Sequence, residues 1–314
     1  MKKVTRGKKP LIGFIGQGFI GKNYADDFEN RGYTVVRYAR GKEFAENKAR
    51  LKECDIVFVA VPTPSTPQGF NYSIVESVLS LVGKGKTAVI KSTVLPGTTE
   101  TLQKKFPGIF IFHSPEFLRE ARAAYDAAHP DRNIIGIPKD TVVYRKKARE
   151  VMAVLPRAPF ERIMHVRDAE LVKYGSNCFL YVKVIFANLL YDLAQVSGLE
   201  WEAVRDGIAA DPRIGASHIE PIHASGHTAD KPGRGAGGHC FIKDFAAFSR
   251  LYKEKVRDPA GQRVLDALRD KNSALLTESG KDLDLLEGVY GTDADNRGLH
   301  ADRRGQDKTN SISK

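Results

Sequence analysis

The sequence predicts an α/β fold: a doubly wound parallel sheet, followed by a mostly helical central domain with a long connecting helix. Three observations predict it. Short apolar runs alternate with helical spans from Pro10 to about Pro159. A glycine-spaced turn joins the first apolar run to the first helix. Helix-forming residues then continue almost unbroken from Asp168 to Gly198.

The apolar runs are LIGFIG (11–16), YTVVRYA (33–39), DIVFVAVP (55–62), TAVIKST (87–93), IFIFHS (109–114) and NIIGI (133–137). Each is continuously apolar rather than alternating, the pattern of strands buried on both faces of a parallel sheet. Helices are expected between them, at 20–31 and 73–82 among others. The long helix takes Asp168 as its N-cap and Gly198 as its stop. Shorter helices are expected at 200–209 and 260–278. The implied domains are 1–160, 161–280 and a polar, disordered tail over 281–314.

Composition narrows the function. No apolar run approaches the ~18 residues of a membrane span. The basic start, MKKVTRGKKP, leads into a strand rather than a signal-peptide core. Cys54, Cys178 and Cys240 are odd in number and widely spaced, which suits a reducing compartment, and no CxxC pair suggests a metal. The expectation is a soluble, cytoplasmic protein with no membrane partner. The net charge of +11 is spread along the chain without an RNA-binding signature. Nucleic acid is therefore not expected, whereas a positive field favours small anionic ligands.

Gly16-Gln17-Gly18-Phe19-Ile20-Gly21 ends the first strand and opens the first helix. That context makes it a dinucleotide fingerprint and the domain Rossmann-like: a tight turn, a close approach for pyrophosphate, and close helix–strand contact. The acid expected after the second strand is missing. Val36-Arg37-Tyr38-Ala39-Arg40 stands there instead, so NAD is the expected cofactor with NADP left open. Arg40 reads as a phosphate contact, an adenine stack or a solvated charge.

PGRGAGGHCFIKD (232–244) sets a thiol behind a costly glycine run. A cysteine reacts as a thiolate, which a neighbouring cation or a nest of amides supports. Cys240 has Lys243 nearby and becomes a candidate nucleophile, whereas Cys54 and Cys178 read as core. Lys173 and Asn177, four apart in the long helix, share a face and could hold a substrate oxygen.

The segments KSTVLPGTT (91–99), SPEFLREA (114–121), HPDRNIIG (129–136), ELVKYGSNCFLYVKVIFAN (170–188), ADPRIG (210–215) and PGRGAGGHCFIKD occur in this order. From about residue 10 to 276 they resemble the UDP-glucose/GDP-mannose dehydrogenase family. That family oxidises the C6 alcohol of a nucleotide sugar to a carboxylate in two NAD-dependent steps. The resemblance makes Cys240 the nucleophile that traps the aldehyde and forms a thioester. Asp244 would handle a proton, Lys173 and Asn177 would steady the reacting oxygen, and Thr93 would hold the water. Glu116 would take part in hydrolysis. The dinucleotide would lie against Gly16, Gly18, Phe19, Ile20, Gly21, Arg40, Pro62, Thr93 and Lys243. The sugar nucleotide would meet Glu116, Phe117, Leu118, Glu120, Lys173, Asn177, Gly233, Gly235, Gly237 and Gly238. A homodimer through the central helical domain is the expected assembly.

The sequence departs from the family pattern at several points. Members usually continue into a third domain, and the roughly 36 polar residues after Glu278 are too few for one. Ile242 stands where proline is usual, and Arg234 and Ala236 where aromatic residues are common. Two alternatives stand beside a UDP-glucose 6-dehydrogenase. One is a single-step hydroxyacid dehydrogenase, which has no use for Cys240. The other is a catalytically reduced dinucleotide-binding relative.

Overall fold

The structure is a computed structural model that describes residues 9–41, 43–227 and 231–291. The chain divides into two compact units, one built from residues up to Pro64 and Asn71–Lys173, the other from Ser65–Phe70 and the chain from Tyr174 onward.

The first unit alternates strand and helix: β1 Ile12–Ile15, α1 Phe19–Asn30, β2 Val35–Tyr38, a 3-10 stretch Ala45–Glu53 and β3 Ile56–Val59. A small hairpin, β4 Ser65–Thr66 and β5 Gly69–Phe70, belongs to the second unit. The first unit resumes with α2 Ser73–Leu79, β6 Thr87–Ile90, α3 Thr98–Lys105 and β7 Phe110–His113. It ends with α4 Ala123–Ala128, β8 Arg132–Ile137, α5 Val142–Val154, β9 Phe160–His165 and the first turns of α6, Val166–Val196.

The sheet runs β2-β1-β3-β6-β7-β8-β9. Every residue of β1, β3 and β6 is buried, as their unbroken apolar sequences require. Phe14 of β1 stacks on Phe58 of β3 at 5.0 Å between centroids and meets Phe28 of α1 edge-on at 5.5 Å. These rings anchor the core, each contributing about 1.5–3 kcal/mol by burial.

Three details differ from the sequence expectation. The sheet is not wholly parallel, because β7 and β8 pair antiparallel through His113 and Gly136. A seventh strand, β9, reads FERIMH and lies at the edge, half exposed, so it lacks the continuous apolar signature of the inner strands. Because β9 runs straight into α6, the helix starts at Val166, and Asp168 sits inside its first turn rather than capping it. The stop is as expected: Gly198 takes a φ of +66°, and Leu199 N–H closes on the Ala194 carbonyl.

The second unit holds the rest of α6, α7 Trp201–Ala209, α8 Gly238–Lys255, α9 Pro259–Ser279 and α10 Leu283–Tyr290. Asp258 caps α9 by accepting from the Ala260 and Gly261 amides, and Pro259 occupies the first helical position. Tyr181 of α6 stacks on Phe245 of α8 at 4.0 Å. Ile242 and Ala246 of α8 share a cluster with Leu276, Leu286 and Val289. Residues 281–290, placed by the sequence in a polar tail, are therefore ordered and partly core, since the LDLLEGVY stretch supplies an apolar face the tail's composition masked. Residues 292–314 lie outside the described residues.

By length and composition α6 could cross a membrane, with a mean hydropathy of 1.4 over its most apolar window, contrary to the expectation from run lengths. Its apolar character is not all core. Phe179, Phe186, Leu189 and Leu193 are exposed along it.

Candidate functional site

The glycine turn explains each of its three glycines. Gly16 has a φ of +93°, and a Cβ there would lie 2.1 Å from the Ala60 carbonyl oxygen. A Cβ on Gly21 would lie 1.9 Å from the Gly16 oxygen. Around Gly18 an added Cβ would meet nothing within 4 Å. Two positions are glycine because protein backbone presses on them, and the third opens onto space at the N-terminus of α1, where amides and the helix dipole favour an anion. The residues fit a dinucleotide pyrophosphate.

Arg37 is not free to greet a 2′-phosphate. Its guanidinium donates to Asp26 at 2.6 Å, to Glu29 at 2.7 Å and to Gln17 of the turn at 3.3 Å. Arg40 is exposed and has no hydrogen-bond partner among the described residues. At the ends of β3 and β6, the Ser92 hydroxyl accepts from Val61 N–H at 2.9 Å and donates to the Val61 carbonyl at 2.7 Å. The buried Thr93 offers its carbonyl to the Thr63 hydroxyl at 2.7 Å, and Pro62 beside them is exposed.

Beyond β7 the same unit buries a charged pair. Lys173 of α6 donates to Glu116 Oε1 at 2.7 Å and to the Glu116 carbonyl at 2.9 Å. Glu116 Oε2 accepts from Leu118 N–H at 2.9 Å. Burial would raise the Glu116 carboxyl, but the Lys173 charge and hydrogen bond, Leu118 N–H and Lys91 hold it below the usual carboxylate range. Phe117 stacks under the Arg132 guanidinium at 3.6 Å. Glu120, by contrast, is exposed in a 3-10 turn and does not join the pair.

Lys91 opens the KSTVLPGTT segment, where its residue type alone gives it no role. It is fully buried, donates to Ser114 Oγ at 3.0 Å and lies 4.5 Å above the Tyr24 ring. Burial and the Lys173 charge push its ammonium down to about 8, against the pull of Glu116. Its neighbour His113 is pushed down to about 3, by burial first and then by Lys91 and Lys173. Only a side chain's depth reveals such groups, and depth is not written in a strand's residue types.

The second unit presents the thiol. Cys240 is exposed and sits in the first turn of α8, not in a loop, where a helix N-terminus favours a thiolate. Cys54 and Cys178 are buried, and burial pushes Cys54 up to about 11 and Cys178 further still. Four residues beyond Cys240, the buried Asp244 accepts from Asn177 of α6 at 2.6 Å and from Lys243 at 2.5 Å. Lys243 is thus bound to a carboxylate of its own helix. Along α6, Lys173 and Asn177 stand one turn apart. In the glycine run, Gly233 pairs with His223 in a bridge, and Gly235 and Gly238 have positive φ. Ala236 is held at both ends by Asn272, a residue sequence reasoning passed over.

Two models of one family match: the UDP-glucose/GDP-mannose dehydrogenase family NAD binding domain over residues 38–154 and its central domain over 167–274. The chain belongs to this family. The glycine turn precedes the first matched stretch, so its role rests on the geometry above.

A UDP-glucose 6-dehydrogenase of Rickettsia bellii is 30% identical over 272 residues, which is 77% of this chain and 58% of that protein. The UDP-glucose 6-dehydrogenase YwqF of Bacillus subtilis is 30% identical over 256 residues, covering 77% of this chain and 54% of that protein. The chain thus spans little more than half the length of these relatives. The structure of a UDP-glucose dehydrogenase from Pyrobaculum islandicum superposes with a TM-score of 0.70 at 28% identity, covering 85% of this chain and 69% of that one.

Two outcomes test this geometry. Gly18→Ala leaves stability within about 0.5 kcal/mol and weakens NAD binding at least ~10-fold by calorimetric titration. Gly21→Ala destabilises the fold itself by about 1–3 kcal/mol. Undiminished NAD binding by the Gly18 variant would remove the turn from the cofactor site. Separately, Lys173→Ala costs about 3–5 kcal/mol in denaturant melts, because it strands the Glu116 carboxylate in the interior. Most of that loss returns when Lys173→Met is combined with Glu116→Gln, and no recovery would mean the pair is not what the site is built around.

Proposed function

We propose that the chain is a nucleotide-sugar 6-dehydrogenase that converts UDP-glucose to UDP-glucuronate by two NAD-dependent oxidations through a thioester on Cys240. The observation that carries this reading is the exposed thiol in the first turn of α8, with the Asn177–Asp244 hydrogen bond one helical turn further on. A single-step hydroxyacid dehydrogenase needs no such thiol.

Bound NAD supplies the hydride acceptor in both oxidations. In the first, the C6 hydroxyl gives its proton to Asp244 as the hydride leaves C6, and Lys173 and Asn177 donate to the oxygen as it gains negative charge. The Cys240 thiolate then adds to the C6 aldehyde, and the carbonyl oxygen takes up a proton to give a thiohemiacetal. Loss of that proton and a second hydride leaves the thioester. Water held near Thr93 attacks the thioester carbonyl, passing its proton to Glu116 or Asp244, and the C–S bond breaks to return the thiolate. One alcohol and one water thus yield one carboxylate, two reduced cofactors and three protons.

Purified protein supplied with UDP-glucose and NAD is expected to reduce two NAD per sugar. Cys240→Ser is expected to lower acid formation by at least ~10³-fold. One NAD per sugar, or undiminished acid formation by that variant, would overturn the thioester route. Parallel assays with GDP-mannose, UDP-N-acetyl sugars and NADP decide the donor and the cofactor.

We also infer that the exposed face of α6 is covered by a second copy of the chain. Phe179, Val182, Phe186 and Leu190 of α6, with Trp201 and Ile208 of α7, line an apolar groove of ≈ 470 Å³. A soluble enzyme that leaves so much continuous apolar surface uncovered invites association. No disulfide joins the three cysteines among the described residues, which supports a reducing, cytoplasmic setting, and the reaction assigns no role to nucleic acid or a membrane. Light scattering behind size exclusion should show a dimer that Phe186→Asp turns into a monomer. A monomeric parent protein would rule the interface out.

A further inference from the structure

The turn after α9 reaches back into the glycine run at almost every step. Lys281 is fully buried, and its Nζ donates to the carbonyls of Gly233 and Gly235, each at 3.1 Å. A third bond goes to Nε2 of His223 at 3.1 Å; because His223 Nδ1–H donates to the Glu220 carbonyl at 3.0 Å, Nε2 is free to accept. Asp282 takes the left-handed backbone, φ +53°, which aims its carboxylate the other way. Its Oδ2 accepts from Gly238 N–H at 2.7 Å and its Oδ1 from the Ser225 hydroxyl at 2.8 Å. Ser279 Oγ accepts from Arg234 N–H at 3.0 Å, and Asp284 meets His227 at 2.7 Å.

The same turn accounts for glycines that the sequence assigned to a substrate path. A Cβ on Gly237 would lie 2.1 Å from Asp282 Oδ2, and one on Gly233 would lie 2.9 Å from Ser279 Cβ and 3.0 Å from Lys281 Cβ. On Gly235 it would press on Asn272, Leu276 and Leu275 of α9 at 3.1–3.2 Å. The run is glycine there because its own protein crowds it. A Cβ on Gly238 would meet only ordinary contact, Ser225 Cβ at 3.8 Å, but Gly238 is buried and its φ of +77° itself favours glycine.

We propose that Lys281 and Asp282 are positioning residues for Cys240: a two-residue clamp that fixes the glycine run and sets the first turn of α8, from which the thiol projects. Lys281 holds the approach by its carbonyls, and Asp282 holds the helix start by its first amide. The Asp282 carboxylate also places a negative charge at the helix end that would otherwise favour a thiolate. The clamp therefore trades some thiol acidity for a fixed thiol direction. The catalytic consequence rests on Cys240 being the reacting group, but the clamp itself can be read without turnover.

The experiment uses the full chain and two direct readouts. Hydrogen exchange reports the amides of 233–240, and the pH dependence of iodoacetamide alkylation reports Cys240, since the other two thiols are buried. Lys281→Met is expected to speed exchange of 233–240 at least ~10-fold, while the strands of the first unit exchange as before. Asp282→Asn is expected to move the alkylation midpoint down by about 0.5 pH unit, because the charge at the helix start is gone. Gly237→Ala should reproduce the faster exchange, and should add nothing further once Asp282 is Ala. Where the unmodified protein turns over nucleotide sugar, kcat falls in these variants more than KM rises. If Lys281→Met does not fold, the Asp282 and Gly237 variants carry the test. Unchanged exchange and an unchanged alkylation profile in the folded variants overturn the clamp, whereas those changes in a protein that oxidises no sugar overturn only the proposed reaction.

Discussion

One stripe of α6 carries three buried polar side chains, and each must find a partner or leave a costly unpaired group in the interior. Glu170, Lys173 and Asn177 are spaced by three and four residues, so they rise along a single face. Glu170 accepts from the amides of Gly97 and Thr99 at 2.6 and 2.9 Å, and so caps α3 from outside. Burial nevertheless pushes its carboxyl up to about 7, because those amides only partly replace water. Lys173 binds Glu116, and Asn177 binds Asp244. LPGTT and SPEF are thereby tied to α6 within the first unit, and CFIKD is tied to it within the second. A buried carboxylate, ammonium and amide on one face of α6 are tolerated because each has its partner.

That stripe was half legible. Lys173 and Asn177 stood out because a lysine and an amide share a helical face, and their family motif reinforced them. Glu170 did not, since a glutamate in a helix is ordinary until its depth is known. Depth also hid Lys91 and His113, which sit in strand ends whose residue types look like any others. The inner strands were legible because burial on both faces removes polar residues altogether. The edge strand β9 was not, because solvent on one side restores them. The sequence starts α6 three residues late for a related reason: Asp168 has the chemistry of a cap, but β9 feeds the helix directly.

Charge illustrates how little a total decides. The +11 of the chain includes Arg37, which two carboxylates of α1 neutralise, and Lys173 and Lys243, each paired with an acid. The arginine that the sequence offers for a 2′-phosphate, Arg40, keeps an exposed charge, whereas Arg37 of β2 is held by Asp26 and Glu29 of α1.

The two glycine clusters began as one signal, a costly flexibility that something must justify. Side by side they separate into two causes. Gly16, Gly21, Gly233, Gly235 and Gly237 are glycine because protein atoms of the same unit lie where a Cβ would go. Their conformational cost buys close internal contact, and they hold no room for a ligand. Gly18 differs: it borders open space at the start of α1, whereas the buried Gly238 has a φ of +77° and gives its amide to Asp282. A missing side chain beside free backbone amides at a helix N-terminus is what an anionic or polar ligand requires for close approach. Counting glycines could not distinguish the two kinds. What crowds each one does, and among these seven it leaves Gly18 as the glycine with open space beside it.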